Sequence, residues 1–204
     1  FLARAPRGTI VGISGPFGTS FPVEKMQGHD IMLIAGGLGL VPLRAPIFAV
    51  LENRSRYGNI DIIYGARNPS ELLFTYQYDM WRQFDIDLSI IVDSGDADWQ
   101  GPVGRITTML EHRIAAAPNI GKNTYAIVCG PPVMFKFVCD MLIKARLPMQ
   151  QIFVSLERRM HCGRGKCVFD CSPPCAGRTR LHGAEREAQY RGHWSGRSRS
   201  IPHR

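Results

Sequence analysis

Short apolar runs alternate with longer helical stretches through most of this chain, and that alternation restricts the fold more than any other feature. The runs are Asp30–Ala35 (DIMLIA), Ile60–Gly65 (IDIIYG), Ile86–Asp93 (IDLSIIVD), Thr124–Gly130 (TYAIVCG) and Gln151–Glu157 (QIFVSLE). Each is short, rich in β-branched residues and mainly apolar, the pattern of a strand buried on both faces. Between them lie Val41–Gly58, Ser70–Phe84, Gly104–Ala117 and Pro131–Leu147, which carry helical periodicity. Ser70 is a candidate N-cap, and the prolines at 131 and 132 suit a first helical turn. Five strands and four helices in strict alternation predict an α/β fold, a doubly wound five-stranded parallel sheet with helices on both faces. Ligands of such sheets bind at the carboxyl ends of the strands.

The ends of the chain depart from this rhythm. Residues 1–24 are short, rich in Gly and Pro, and offer one strand near Ile10–Ile13; they read as the end of a preceding domain. The chain begins at Phe1 with no apolar leader and is expected to be a fragment. Residues 25–157 form the α/β domain, residues 158–175 a cysteine-rich segment, and residues 176–204 a basic tail that is expected to be disordered or non-native. That tail holds seven Arg and two Glu, so +5 of the net charge of +8 lies in its 29 residues. The body is therefore near neutral, which argues against a nucleic-acid partner. No run reaches the roughly eighteen apolar residues of a membrane helix, so no membrane partner is expected and the setting is read as cytoplasmic.

Chemistry is sought in the loops after the strands. AGGLGLVPL (Ala35–Leu43) joins the first strand to the first helix. Gly37, Gly39 and Pro42 follow the G-x-G-x-x-G spacing with proline in the last place. Glycines there let a pyrophosphate approach the backbone, and the helix start offers N–H groups and a positive dipole. A ligand-free glycine turn is the plainer alternative. The second strand ends in YGARNPSE, with no acid for a ribose but with Arg67 nearby, which either meets ribose or phosphate or is solvated. The fourth strand ends in CGPPVMF; Cys129 is either a small buried residue or a thiol beside a nicotinamide. The acidic loop DSGDADW (Asp93–Trp99) reads as a solvated loop close to a cofactor rather than a cation site.

Taken together, GPFGTSF, AGGLGLVPLR, YGARNPSELLF, CGPPVMF and VSLERRMHCGRGKC resemble, in order and spacing, the ferredoxin-reductase superfamily. Within it the chain is similar to electron-transfer subunits that end in a small [2Fe–2S] domain. These include the gamma subunits of nickel–iron hydrogenases (sulfhydrogenases) and the iron–sulfur subunit of dihydroorotate dehydrogenase B. The resemblance implies an NAD(P)H pyrophosphate against Gly36, Gly37, Gly39 and Pro42. It implies a nicotinamide bordered by Cys129, Gly130 and Pro131, and Arg67 and Glu71 on the adenosine side. It also implies FAD, held by a β-barrel whose R-x-Y-[ST] motif this chain lacks, and a catalytic partner subunit of a multi-subunit redox complex.

The cysteines follow the family only in part. Plant-type clusters use C-x4-C-x2-C and a later fourth Cys. Cys162 and Cys167 give the first spacing, but position 170 is Asp170, and Cys171 and Cys175 come next. Either these four hold a [2Fe–2S] cluster in altered spacing, or the sequence after Cys167 is not the family's own. A four-cysteine zinc site with the basic tail on nucleic acid is a further alternative. The expectation is an NAD(P)H-dependent oxidoreductase subunit of hydrogenase or sulfur-reductase type. A dihydroorotate dehydrogenase subunit and an inactive nucleotide-binding module stand beside it.

Overall fold

The structure, a computed structural model, describes residues 4–12, 20–117 and 120–155. The chain divides into two units, one of Phe21–Glu157 and one of Phe1–Ser20 and Arg158–Arg204. Cys162, Cys167, Cys171 and Cys175 lie outside the described residues. In the terminal unit, Pro6–Thr9 form a turn in which the Thr9 N–H and hydroxyl both donate to the Pro6 carbonyl, at 3.2 and 2.8 Å. Residues 10–12 form no strand where the sequence predicts one; an extended segment becomes a strand only when a neighbour pairs with it.

In the larger unit the strands are β1 (Asp30–Gly36), β2 (Ile60–Ala66), β3 (Ile86–Val92), β4 (Thr124–Cys129) and β5 (Ile152–Ser155). All pair in parallel, in the order β3-β2-β1-β4-β5. The strands interleave with α1 (Leu40–Glu52), α2 (Tyr78–Gln83), α3 (Ile106–Ala116), a short α4 (Ile120–Asn123) and α5 (Pro132–Lys144). Alternation along β1 shows why both faces are apolar. Ile31, Leu33 and Ala35 enter the core shared with α1 and α2, while Met32 and Ile34 enter the core shared with α3 and α5. The chain changes face between β3 and β4, so β1 and β4 are the neighbours at which strand order reverses.

The stretch predicted as one helix over 70–84 is broken. Single 3-10 turns cover Pro69–Glu71 and Thr75–Gln77, and only Tyr78–Gln83 is α-helical. Asn68, not Ser70, caps the first turn, its side-chain oxygen accepting from the Glu71 N–H at 3.2 Å. Tertiary partners explain the break. The buried Tyr64 hydroxyl on β2 accepts the Leu73 N–H at 3.2 Å, and the Tyr78 hydroxyl donates to the Leu73 carbonyl at 2.8 Å. Phe74 then turns with φ of 56°, a left-handed conformation uncommon for a bulky residue. Arg44 on α1 holds that turn, its guanidinium 5.0 Å from the Phe74 and Phe48 ring centres and its Nε donating to Gln77.

Candidate functional site

The candidate site is built where β1 and β4 end side by side. Near these ends Ala35 pairs with Cys129, the last residue of β4, and Gly36, the last residue of β1, pairs with Gly65 of β2 on the other side. From Gly36 the chain makes one 3-10 turn, Gly37–Gly39, and enters α1 at Leu40. The Leu40 N–H turns back to the carbonyls of Gly37 and Leu38. This places the start of a 13-residue helix over the sheet edge, where helix N–H groups lack partners within the helix.

The glycines of this loop are not equivalent. Gly39 has ordinary helical angles, φ −61° and ψ −16°. A Cβ there would overlap the Cys129 carbonyl oxygen and stand 2.8 Å from the Gly130 nitrogen. Gly39 is thus required by the close approach of α1 to the end of β4. Gly37 has φ of 54°, and a Cβ there would meet nothing within 4 Å. Its constraint is conformational, and it faces open space. Gly36 and Gly130 pack against each other, a Cβ on Gly130 standing 3.1 Å from the Gly36 Cα. Backbone therefore meets backbone at Gly39, the Met134 side chain lies against Gly36 and Gly130, and open space lies at Gly37, which fits a pyrophosphate close to the main-chain N–H groups of that turn.

Pro42 is the third residue of α1, where its missing N–H leaves no helical bond broken. Pro131 has φ −60° and ψ 146° and caps α5, accepting the Met134 N–H at 2.9 Å. The Cys129 side chain is buried, 1% exposed, in the core on the α1 face. Its carbonyl is what meets Gly39. Leu38 and Val41, by contrast, are exposed apolar residues on the rim of the loop.

Arg67 and Glu71 follow β2, two strands from β4, and both are exposed. They are thus placed at the same sheet edge as the glycine loop but apart from Cys129–Pro131. The Glu71 carboxylate accepts from the Asn68 side-chain amide at 3.2 Å.

Several residues that shape this edge carry no motif. Gly65 admits α3, since a Cβ there would stand 3.1 Å from the Ile106 Cβ. Tyr64 pins the 71–73 loop; burial raises its hydroxyl pKa and keeps it a neutral donor and acceptor. A tyrosine inside an apolar strand run was the available signal. The shifted acid of the domain, Asp61, lies nearer the start of β2. Burial raises its pKa, and the Arg113 guanidinium, its ion-pair partner, opposes the rise. Arg113 also reaches Asp87 at 3.0 Å. This cluster holds α3 on the sheet and is not part of the site. Among the described residues no group of three or more His, Cys, Asp or Glu could hold a metal ion, and no helix is long and apolar enough to cross a membrane.

A parallel sheet wound in the order 3-2-1-4-5, with a glycine turn and helix start at its switch point, defines a nucleotide-binding domain of the doubly wound class. The family model for the oxidoreductase NAD-binding domain matches residues 33–140, which is 108 of the 204 residues. The chain belongs to that family. It is 40% identical over 167 residues to the sulfhydrogenase 1 subunit gamma of Pyrococcus furiosus, covering 80% of this chain and 56% of that one. To a probable dihydroorotate dehydrogenase B (NAD(+)) electron transfer subunit of Methanocaldococcus jannaschii it is 34% identical, covering 80% and 56%. Among solved structures, the CS-b5R domains of human Ncb5or in the NAD+ form share the fold. The TM-score is 0.64 at 18% identity, covering 75% of this chain and 44% of that chain. The chain thus spans little more than half the length of these curated relatives.

Proposed function

We propose that this chain is the NAD(P)H-binding part of an electron-transfer subunit in a multi-subunit redox complex. The observation that carries the reading is the junction of Gly36–Gly39 with Cys129–Gly130, where the start of α1 meets the end of β4 at Gly39 and Gly37 faces open space. Gly36, Gly37, Gly39 and Pro42 line the pyrophosphate, Cys129, Gly130 and Pro131 border the nicotinamide, and Arg67 and Glu71 lie on the adenosine side. When bound, the dinucleotide supplies or accepts a hydride. This chain's own residues bind and orient it, through main-chain N–H groups and the α1 dipole. The described site needs no side-chain acid or base, since hydride transfer leaves no proton for the protein to move.

The hydrogenase or sulfur-reductase type of complex is favoured over dihydroorotate oxidation by the higher identity to the sulfhydrogenase subunit, 40% against 34%. The partner is then a catalytic subunit, in the cytoplasm. The family resemblance assigns FAD to a β-barrel domain rather than to the α/β unit. Cys162, Cys167, Cys171 and Cys175 are the proposed cluster ligands, with Asp170 at the family's third-ligand position.

Titration of the full chain with NADH and with NADPH, followed by nucleotide fluorescence, tests the reading. Saturable binding that ADP-ribose displaces is expected. Absence of binding by both dinucleotides at millimolar concentration would overturn it.

A further inference from the structure

Between β2 and α2 the backbone makes a turn that its own sequence does not favour. Phe74 has φ of 56° and ψ of 30°, the left-handed conformation, while carrying a bulky ring. Such a conformation persists only where the surroundings fix it, and it is concentrated at ligand clamps and active sites. Here it is fixed from both sides. Before it, the Leu73 N–H donates to the Tyr64 hydroxyl at 3.2 Å, and the Leu73 carbonyl accepts from the Tyr78 hydroxyl at 2.8 Å. After it, the Gln77 N–H donates to the Phe74 carbonyl at 2.8 Å. The Gln77 side chain is buried, and its amide oxygen accepts from the Arg44 Nε at 3.1 Å.

Arg44 belongs to a different element. It is the fifth residue of α1, the helix whose start forms the proposed pyrophosphate seat. Its guanidinium lies 5.0 Å from the ring centre of Phe48 on the same helix and 5.0 Å from that of Phe74. One planar cation thus stacks on a ring from each element while donating to a buried amide. Among the described residues no other side-chain hydrogen bond or cation–π contact joins α1 to the 67–77 segment. That segment carries Arg67 and Glu71, both exposed, on the adenosine side of the proposed site. Glu71 is tied to Asn68 through its N–H and its carboxylate, each at 3.2 Å, and its carbonyl accepts from the Tyr64 hydroxyl at 3.5 Å.

We infer that Arg44 is a positioning residue for the dinucleotide: it locks the loop on the adenosine side to the helix that seats the pyrophosphate, so that Arg67 and Glu71 stand in place before the ligand arrives. The inference rests on the dinucleotide reading of the site. Arg44 acts through Phe74 and Gln77 and not by touching the ligand. Without the lock, Arg67 and Glu71 become ordered only on binding. Fixing two long side chains at that moment weakens binding about tenfold, and fixing one weakens it about threefold.

The test is a double-mutant cycle in the full chain, read as NADH affinity. Arg44→Lys keeps the charge but loses the planar fork that stacks and donates together. It is expected to lower NADH affinity about tenfold in the wild-type background and only about threefold in a chain already carrying Glu71→Ala, where one of the two positioned side chains is gone. A residue that only stabilises the fold lowers affinity by the same factor in both backgrounds. Wild-type affinity in Arg44→Lys, or an equal loss in both backgrounds, would overturn the inference and leave the dinucleotide reading standing. Failure of the wild-type chain to bind NADH would overturn both. If Arg44→Lys is unfolded at the assay temperature, Phe48→Leu, which removes one ring of the stack, is measured in its place against the same criteria.

Discussion

Gly39→Ala separates packing from propensity by sign. Gly39 has helical angles, so on conformational grounds alanine is the better residue, worth up to about 1 kcal/mol. Packing opposes it. The new Cβ would stand 2.5 Å from the Cys129 carbonyl carbon, against 3.4 Å for ordinary contact. The Cys129 carbonyl oxygen is nearer still, so relief requires α1 and β4 to part by more than about 0.9 Å, and both sides of the contact are backbone, which cannot swing aside. Overpacking of this kind costs about 1–3 kcal/mol. The net result is a loss of about 1–2 kcal/mol, or a fall in Tm of about 3–10 °C for a domain of this size. The same retreat lifts the loop N–H groups from a bound pyrophosphate, and dinucleotide affinity falls at least about tenfold, since misplacement near 1 Å has effects of that order. Thermal unfolding by circular dichroism and NADH titration read the two effects. A Tm equal to or above the wild-type value would refute the reasoning, because it would show that α1 does not press on the end of β4.

Tyr64→Phe removes the hydroxyl that accepts the Leu73 N–H; a loss of about 1–2 kcal/mol in urea unfolding is expected, with faster amide exchange at Leu73. Arg113→Leu leaves Asp61 and Asp87 facing each other without their cation, and a loss of about 1–2 kcal/mol is expected at neutral pH for this partly exposed cluster. Asp61 also sets a pH dependence. Its pKa is raised in the folded chain, so the native state binds the proton more tightly than the unfolded one, and its contribution to stability falls as pH rises from about 3.8 through the raised value. Asp61→Asn should abolish that slope in denaturation curves taken from pH 3 to 7; an unchanged slope would assign it to other groups.

The parallel sheet is legible in the sequence because strands buried on both faces are largely apolar, as in Asp30–Ala35 and Thr124–Gly130. The glycine loop is legible for a related reason, since a strand, a glycine turn and a helix start follow one another in the chain. The broken stretch at 70–84 is not legible in this way. Its periodicity is helical, and what interrupts it is the Tyr64 hydroxyl and the Arg44 guanidinium, which arrive from other elements. The separate duties of the glycines are hidden for the same reason. Gly37 and Gly39 look alike in sequence, yet one is held by its backbone angle and the other by a carbonyl 90 residues away. Arg67 illustrates a further limit. Its neighbourhood is set by Asp93 and Ser94, joined to it only through β2–β3 pairing and two backbone bonds.

The central claim is that a dinucleotide lies with its pyrophosphate on the Gly37–Leu40 turn, against the end of β4. Amide chemical shifts of the isotopically labelled full chain, followed as NADH is added, test it directly. The account predicts the largest shifts at Gly37, Leu38, Gly39, Leu40 and Gly130, with smaller ones at Arg67 and Asp93. Unchanged amides along Gly37–Leu40, with NADH bound and shifts concentrated elsewhere in the domain, would contradict it.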